Sequence, residues 1–144
     1  MEKVVIGWRE WITIPGWDVR LKAKIDTGAK SSSLDVISVK RVEDNIHYTV
    51  RLSRKKNHTL DVVSPLHRVT TVKSSNGQKQ DRYFVMLPII LGEIRKEIEV
   101  SLACRKNMLH RMLLGREALQ EHFLIDAGVD HLVDPNKKIR KKKK

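Results

Sequence analysis

Apolar and polar residues alternate in short runs along most of this chain, and turn residues end each run. Val19, Leu21, Ala23 and Ile25 fall on one side of a period of two, with Arg20, Lys22 and Lys24 on the other. That period belongs to a strand with one buried and one wet face. Ile46, Tyr48, Val50 and Leu52 repeat it up to the polar turn Ser53-Arg54-Lys55-Lys56-Asn57. Val4 to Ile14 is a strand-like run rich in Trp that stops at Pro15-Gly16, and Thr59 to Val63 closes at Pro65. Val69 to Val72 leads into Ser74-Ser75-Asn76-Gly77, whose Asn-Gly pair is a strong hairpin signal. Tyr83 to Leu91 and Ile94 to Leu102 meet at Gly92-Glu93, and Met112-Leu113-Leu114 reads as a short buried strand. Only Arg116 to Phe123 reads as helix, with Ala118, Leu119 and Phe123 able to share a face. Short strands and polar turns in this number predict an all-β barrel or sandwich with one short C-terminal helix.

A chain of 144 residues is one domain by size. Its charge is unevenly placed. Seven of the +12 net charges lie in the tail Lys137-Lys138-Ile139-Arg140-Lys141-Lys142-Lys143-Lys144, which leaves +5 on residues 1–136. Like charges at that density repel, so residues 1–136 are expected to fold and 137–144 to be a disordered basic tail. The tail has no aromatic residue for stacking, so any nucleic-acid contact there would be non-specific. No apolar run approaches the roughly 18 residues of a membrane span, and the N-terminus has no signal-like stretch. Cys104 is the single cysteine, which fits a reducing cytoplasm and is expected to be buried at a strand end.

One acid stands out. Asp26 follows the alternating run directly and opens the turn Asp26-Thr27-Gly28-Ala29, with Ser31-Ser32-Ser33 as a polar patch beyond it. A carboxylate at the end of a buried strand is expensive unless hydrogen-bonded or functional. A carboxylate on rigid backbone, a Gly that allows close approach and a Thr hydroxyl that ties the loop are the parts an aspartic peptidase needs.

Lys24-Ile25-Asp26-Thr27-Gly28-Ala29, followed much later by Met112-Leu113-Leu114-Gly115-Arg116-Glu117-Ala118-Leu119, resembles the retropepsin-like aspartic peptidases. Gly7-Trp8-Arg9-Glu10-Trp11, Val69-Thr70, Ile89 to Gly92 and Phe123-Leu124-Ile125-Asp126 make the chain similar to the bacterial RimB type of that family, over roughly residues 4–133. Its members carry two descriptions, retropepsin-like aspartic endopeptidase and "ATP-dependent zinc protease". They are associated with RimK-type ATP-grasp ligases that add glutamates to a ribosomal protein.

The resemblance implies a retropepsin-like acid-protease barrel that hydrolyses peptide bonds through a water held by two carboxylates. With one Asp-Thr-Gly per chain, it implies a homodimer that sets Asp26 beside its copy. Thr27 would then hydrogen-bond across the twofold axis, Gly28 would admit the neighbouring loop, and Ala29 would complete the turn. Leu113, Leu114 and Gly115 would pack behind the Asp loop. Arg116 needs an acid, with Glu10, Asp35 and Glu117 as the candidates, because Lys30 occupies the place where viral members carry Asp. A lid is expected from the hairpin Arg68 to Tyr83 with its tip at Ser75, Asn76 and Gly77, or else from the basic turn Arg54 to Asn57. An extra hairpin is expected around Ile46 to Val63. The substrate implied is a polypeptide, acidic and glutamate-rich, on a ribosomal protein, with a functional link to the ATP-grasp ligase and the ribosome.

The residues also carry other readings. Asp126-Ala127-Gly128 echoes the Asp26 turn, but Ala127 lacks the hydroxyl, so a post-helix turn is expected there. The six histidines show no His-Glu-x-x-His pattern, so neither a metal nor another cofactor is expected. Cys104 and His110 remain a long-range zinc alternative. Trp8, Trp11 and Trp17 are expected in the core or a dimer interface. The competing function is a non-catalytic barrel that binds ribosome or RNA through basic loops and tail, with Asp26 a structural acceptor.

Overall fold

A computed structural model of the chain describes residues 2–55, 57–104 and 109–134. The basic tail, Lys56 of the second basic turn and Arg105 after the lone cysteine lie outside the described residues. The elements run β1 (Val4–Gly7), β2 (Arg9–Thr13), β3 (Arg20–Ile25), β4 (Ser32–Val42), β5 (Asn45–Arg51), β6 (Thr59–Pro65), β7 (Arg68–Lys73), β8 (Lys79–Leu91), β9 (Ile94–Ala103), β10 (Met112–Leu114), α1 (Arg116–Leu119) and β11 (Phe123–Asp126).

Six strands close into a barrel in the order β10-β3-β2-β8-β9-β4, and β4 returns to β10. Closure removes the unpaired strand edges that an open sheet would expose. β10 is the short strand that seals it. It runs parallel to β3, with Leu114 beside Ile25, and antiparallel to β4, with Leu113 opposite Ser33. β5 and β6 extend from β4 as the extra hairpin, β7 pairs with β8, and β1 pairs with β11 as a separate parallel ribbon. The barrel interior is filled by alternate residues of its strands, among them Ile12, Leu21, Ala23, Leu34, Val85, Val100 and Leu114, all buried.

The all-β barrel with one short helix is as expected, whereas the length of that helix and the burial of Cys104 are not. The Ser31-Ser32-Ser33 patch runs into the barrel wall. Ser32 and Ser33 open β4, the second-longest strand, and both are buried. Their small side chains fit a barrel wall, and Ser32 Oγ accepts the Gly115 N–H at 3.1 Å. The helix does not reach Phe123. Gln120 is extended and Glu121 sits at φ 74°, so one turn is all that forms. Phe123 instead begins β11, and Asp126 ends that strand and opens the expected turn at Ala127-Gly128. Cys104 is exposed, one residue past the end of β9.

Candidate active site

Asp26 is pinned by backbone on both sides. The Ile25 N–H donates to Trp8 O at 2.8 Å, and the Asp26 N–H donates to Leu114 O at 2.9 Å. Strand β3 therefore delivers the carboxylate at a fixed place on the barrel rim. One oxygen, Oδ1, accepts the Gly28 N–H at 3.0 Å, and the Ala29 N–H donates to Asp26 O at 3.2 Å, which folds the loop into a tight turn. Asp26 is half-buried, while Thr27 and Gly28 are exposed. Among the described residues no side-chain donor bonds to the Asp26 carboxylate.

The second half of the motif locks this loop from behind. The Arg116 N–H donates to Ala29 O at 2.8 Å, and the Glu117 N–H donates to Lys30 O at 3.1 Å. Gly115 runs so close to the loop that a Cβ there would lie 2.4 Å from Ser31 O and 2.9 Å from Ala29 O. Glycine is required by that approach rather than by its torsion angles. Leu113 and Leu114 thus lie beside Lys24 and Ile25 on β3, and Gly115 lies against the backbone of Ala29 and Ser31.

Arg116 takes none of its three candidate acids. Its guanidinium Nη1 donates to Thr27 O at 3.0 Å, a neutral acceptor inside the Asp loop. Glu117 reaches Lys30 at 3.7 Å, so the lysine that replaces the viral Asp finds its own acid. Asp35 is buried against Arg111 at 2.5 Å and Arg51 at 3.0 Å. Glu10 lies wholly inside the protein and accepts three backbone N–H groups, from Gly7 at 2.6 Å, Leu132 at 2.9 Å and Val133 at 3.3 Å.

Glu10 and Trp8 are the positioning residues that motif reading missed. Trp8 is the point where the chain passes from the β1–β11 ribbon to the barrel. Its N–H donates to Val129 O at 2.8 Å, and its carbonyl holds Ile25. Glu10 fixes the backbone on either side of that crossing. The available signal was its phase, since Glu10 shares with Ile12 the inward side of β2's alternation.

The Asp126 turn repeats the Asp26 turn in detail. The Gly128 N–H donates to Asp126 Oδ1 at 2.9 Å, and the Val129 N–H to Asp126 O at 3.4 Å. The two turns flank the Gly7-Trp8 backbone, because Gly7 is registered against Asp126 and Trp8 bonds Ile25. A strand lying between them sets the two loops about two strand spacings apart, on the order of 10 Å.

Ser75, Asn76 and Gly77 form the exposed turn between β7 and β8, with Gly77 at φ 85° and its N–H donating to Ser74 O at 2.9 Å. Among the described residues no group of three or more His, Cys, Asp or Glu side chains converges as a metal site. No described helix is long and apolar enough to cross a membrane. His110 is pushed below the usual imidazole range by burial first and then by Arg9, Lys22, Lys24 and Arg111. His131 is lowered chiefly by burial, which outweighs the opposing pull of Asp130.

Comparison with known proteins gives the chain's relatives. A family model described as "RimB-like: Retropepsin-like aspartic endopeptidase RimB" matches residues 5–143. The chain is 33% identical over 130 residues to a probable alpha-L-glutamate ligase of Shewanella pealeana, a match that covers 86% of the chain and 28% of that relative. It is also 33% identical over 135 residues to a probable alpha-L-glutamate ligase of Parasynechococcus marenigrum, over 90% of the chain and 29% of that relative. The chain therefore spans less than a third of the length of these relatives. The crystal structure of protein Lpg0085 from Legionella pneumophila, of unknown function, superposes with a TM-score of 0.76 at 28% identity, covering 92% of this chain and 99% of that one.

Proposed function

The chain belongs to the RimB-like family of retropepsin-like aspartic endopeptidases, and we propose that it hydrolyses peptide bonds with Asp26 as the acid–base group. The observation that carries this reading is the Asp26 loop itself. A half-buried carboxylate is held by Leu114 and Gly28 while Thr27 and Gly28 stay on the surface.

Catalysis of this kind needs two carboxylates in near contact, so that like charge makes them retain one proton between them. Asp126 lies a strand away, which is too far for that role. The second carboxylate is therefore the Asp26 of a second copy, brought in across the exposed Thr27-Gly28 surface as a symmetric dimer. The ionised carboxylate removes a proton from a water held between the pair, and that water's oxygen attacks the scissile carbonyl carbon. The protonated carboxylate gives its proton to the carbonyl oxygen. Collapse of the tetrahedral adduct moves a proton to the amide nitrogen, the C–N bond breaks, and the dyad again holds one proton. The pair titrates as a unit. In this scheme Thr27 ties the loops across the axis, Gly28 admits the partner loop, and the β7–β8 hairpin with Ser75, Asn76 and Gly77 closes over the substrate.

The substrate class we propose is a glutamate-rich polypeptide tail, carried by a ribosomal protein in the cytoplasm. The body's surplus of positive charge and the likeness to alpha-L-glutamate ligases support it. Such a peptidase would act opposite to, or alongside, an ATP-grasp ligase.

Asp26→Asn tests the chemistry, because the amide keeps the Gly28 hydrogen bond but removes the shared proton. Cleavage of a glutamate-rich peptide should fall at least a hundredfold with the melting temperature unchanged. Wild-type turnover by the Asn variant would end the proposal. So would full activity from a species that sedimentation shows to be monomeric.

A further inference from the structure

The outward face of the β2–β3 ribbon carries cations in register. Arg9 lies opposite Lys24, Trp11 opposite Lys22, and Thr13 opposite Arg20. Their inward neighbours, Glu10, Ile12, Leu21 and Ala23, are buried, so all four cations stand on one wall of the barrel. The ladder ends beside the candidate active site, since Lys24 precedes Asp26 by two residues.

Part of this wall already holds acids of the chain itself. The segment after β11 crosses it, with Asp130 on Arg9 at 2.7 Å and Asp134 on Arg20 at 2.6 Å. The His131 N–H donates to Arg9 O at 2.9 Å. Lys22 and Lys24 are the rungs left over, and no ion pair reaches either of them among the described residues. Lys24 is exposed and Lys22 half-buried.

We propose that this wall is a docking strip for an extended acidic polypeptide, which runs along β3 through Lys22 and Lys24 toward Asp26. The inference deepens the peptidase reading and rests on its acidic substrate. Three features choose this occupant. The charges are complementary, and the chain's own Asp130 and Asp134 show that carboxylates seat here. The spacing also matches. Lys22 and Lys24 sit about 6.7 Å apart along the strand, and alternate side chains of any extended peptide repeat at that same interval. The aromatic surface is already engaged. The Trp11 ring stacks with His131 at 5.6 Å, and Arg20 and Lys22 each lie 5.0 Å from its centroid. Arg9 covers Trp8 at 4.7 Å. A single-stranded nucleic acid stacks its bases on open rings, whereas among the described residues both Trp rings of this wall already carry a cation or an imidazole.

Fluorescence anisotropy of fluorescein-labelled decaglutamate tests the strip, using the full chain with Asp26→Asn so that the probe is not cut. Lys22→Gln with Lys24→Gln should raise Kd roughly fivefold at about 50 mM salt, the combined effect of losing two exposed ion pairs. Lys3→Gln with Lys40→Gln removes the same charge from exposed sites elsewhere and should leave Kd within about twofold. Lys24→Gln alone should retain part of the effect, and it spares the Lys22–Trp11 contact if the double variant folds poorly. Equal loss from both pairs, no binding of decaglutamate, or tighter and Lys22/Lys24-dependent binding of a decauridylate would overturn the proposal. Cleavage of a neutral peptide by otherwise wild-type protein should survive the Lys3→Gln with Lys40→Gln control and vanish with Asp26→Asn. Failure of the strip and failure of the catalytic reading are thus separable.

Discussion

Glu10 is the residue whose removal should say most about how this fold holds its candidate site. It is wholly buried, yet its carboxylate meets no cationic side chain among the hydrogen bonds and ion pairs described above. Its charge is instead neutralised by three backbone N–H dipoles, from Gly7, Leu132 and Val133. Hydrogen bonds to a charged acceptor contribute about 1.5–3 kcal/mol each, and a buried donor left unmet costs about 1–3 kcal/mol. Leu132 and Val133 are reachable by water, so only the Gly7 N–H would bear the full cost of Glu10→Ala. The expected loss is then about 3–5 kcal/mol, against a total stability for such domains of about 5–15 kcal/mol. Glu10→Gln keeps the shape and one acceptor oxygen but turns an NH2 toward one of the donors, for a loss of about 2 kcal/mol. Urea unfolding followed by tryptophan fluorescence reads both, since Trp8 and Trp11 flank Glu10 in sequence. Glu93→Gln, on the exposed β8–β9 turn, should stay within about 0.5 kcal/mol. If Glu10→Ala unfolds at the same urea concentration as that control, the account of Glu10 as a backbone clamp is wrong. The same change should loosen Trp8 and through it Ile25, so peptidase activity should fall further than stability alone explains.

The remaining expectations can be checked by similar means. Gly115→Ala drives a methyl to 2.4 Å from Ser31 O, backbone that has little room to move. Loss of roughly 3 kcal/mol in denaturant titration is expected, with more than tenfold loss of cleavage because the displaced atoms belong to the Asp26 loop. Acid should destabilise the protein through His110 and His131, whose folded values lie below the ordinary 6.5. The unfolded chain then binds protons first as pH falls. Their contribution is complete above about pH 6.5 and shrinks below it, and His110→Gln should flatten the melting-temperature profile in that window. Glu99 is lowered by its hydrogen bond to Arg68, so that pair contributes above the usual carboxylate range and fades as pH falls through the folded value. Arg68→Gln should move the acid limb of the same profile toward higher pH.

The strands that alternate cleanly were legible because burial on one face writes itself into sequence. β3, β5, β8 and β9 are of this kind, and so is the turn at Asn76-Gly77. The start of β4 was hidden, since Ser32 and Ser33 are polar residues on a buried wall, kept there by bonds such as that from the Gly115 N–H to Ser32 Oγ. β11 was hidden for a different reason. Its burial depends on β1, more than a hundred residues earlier, and half of it stays wet. The helix was overestimated because Phe123 shares a helical spacing with Leu119 but is claimed by that ribbon.

Order along the chain determined a great deal by itself: the all-β class, the acid at a strand end, and the glycine and apolar pair that stand behind it. These are local facts, set by side-chain period, turn chemistry and residue type. Which acid meets which cation was decided only by the closed barrel. Arg116 faces a carbonyl, Asp35 faces two arginines, and Glu10 faces backbone, although each acid was an equal candidate for Arg116 in sequence. Electrostatic partners are chosen by distance in space, and barrel closure brings together residues that sequence separation leaves unrelated.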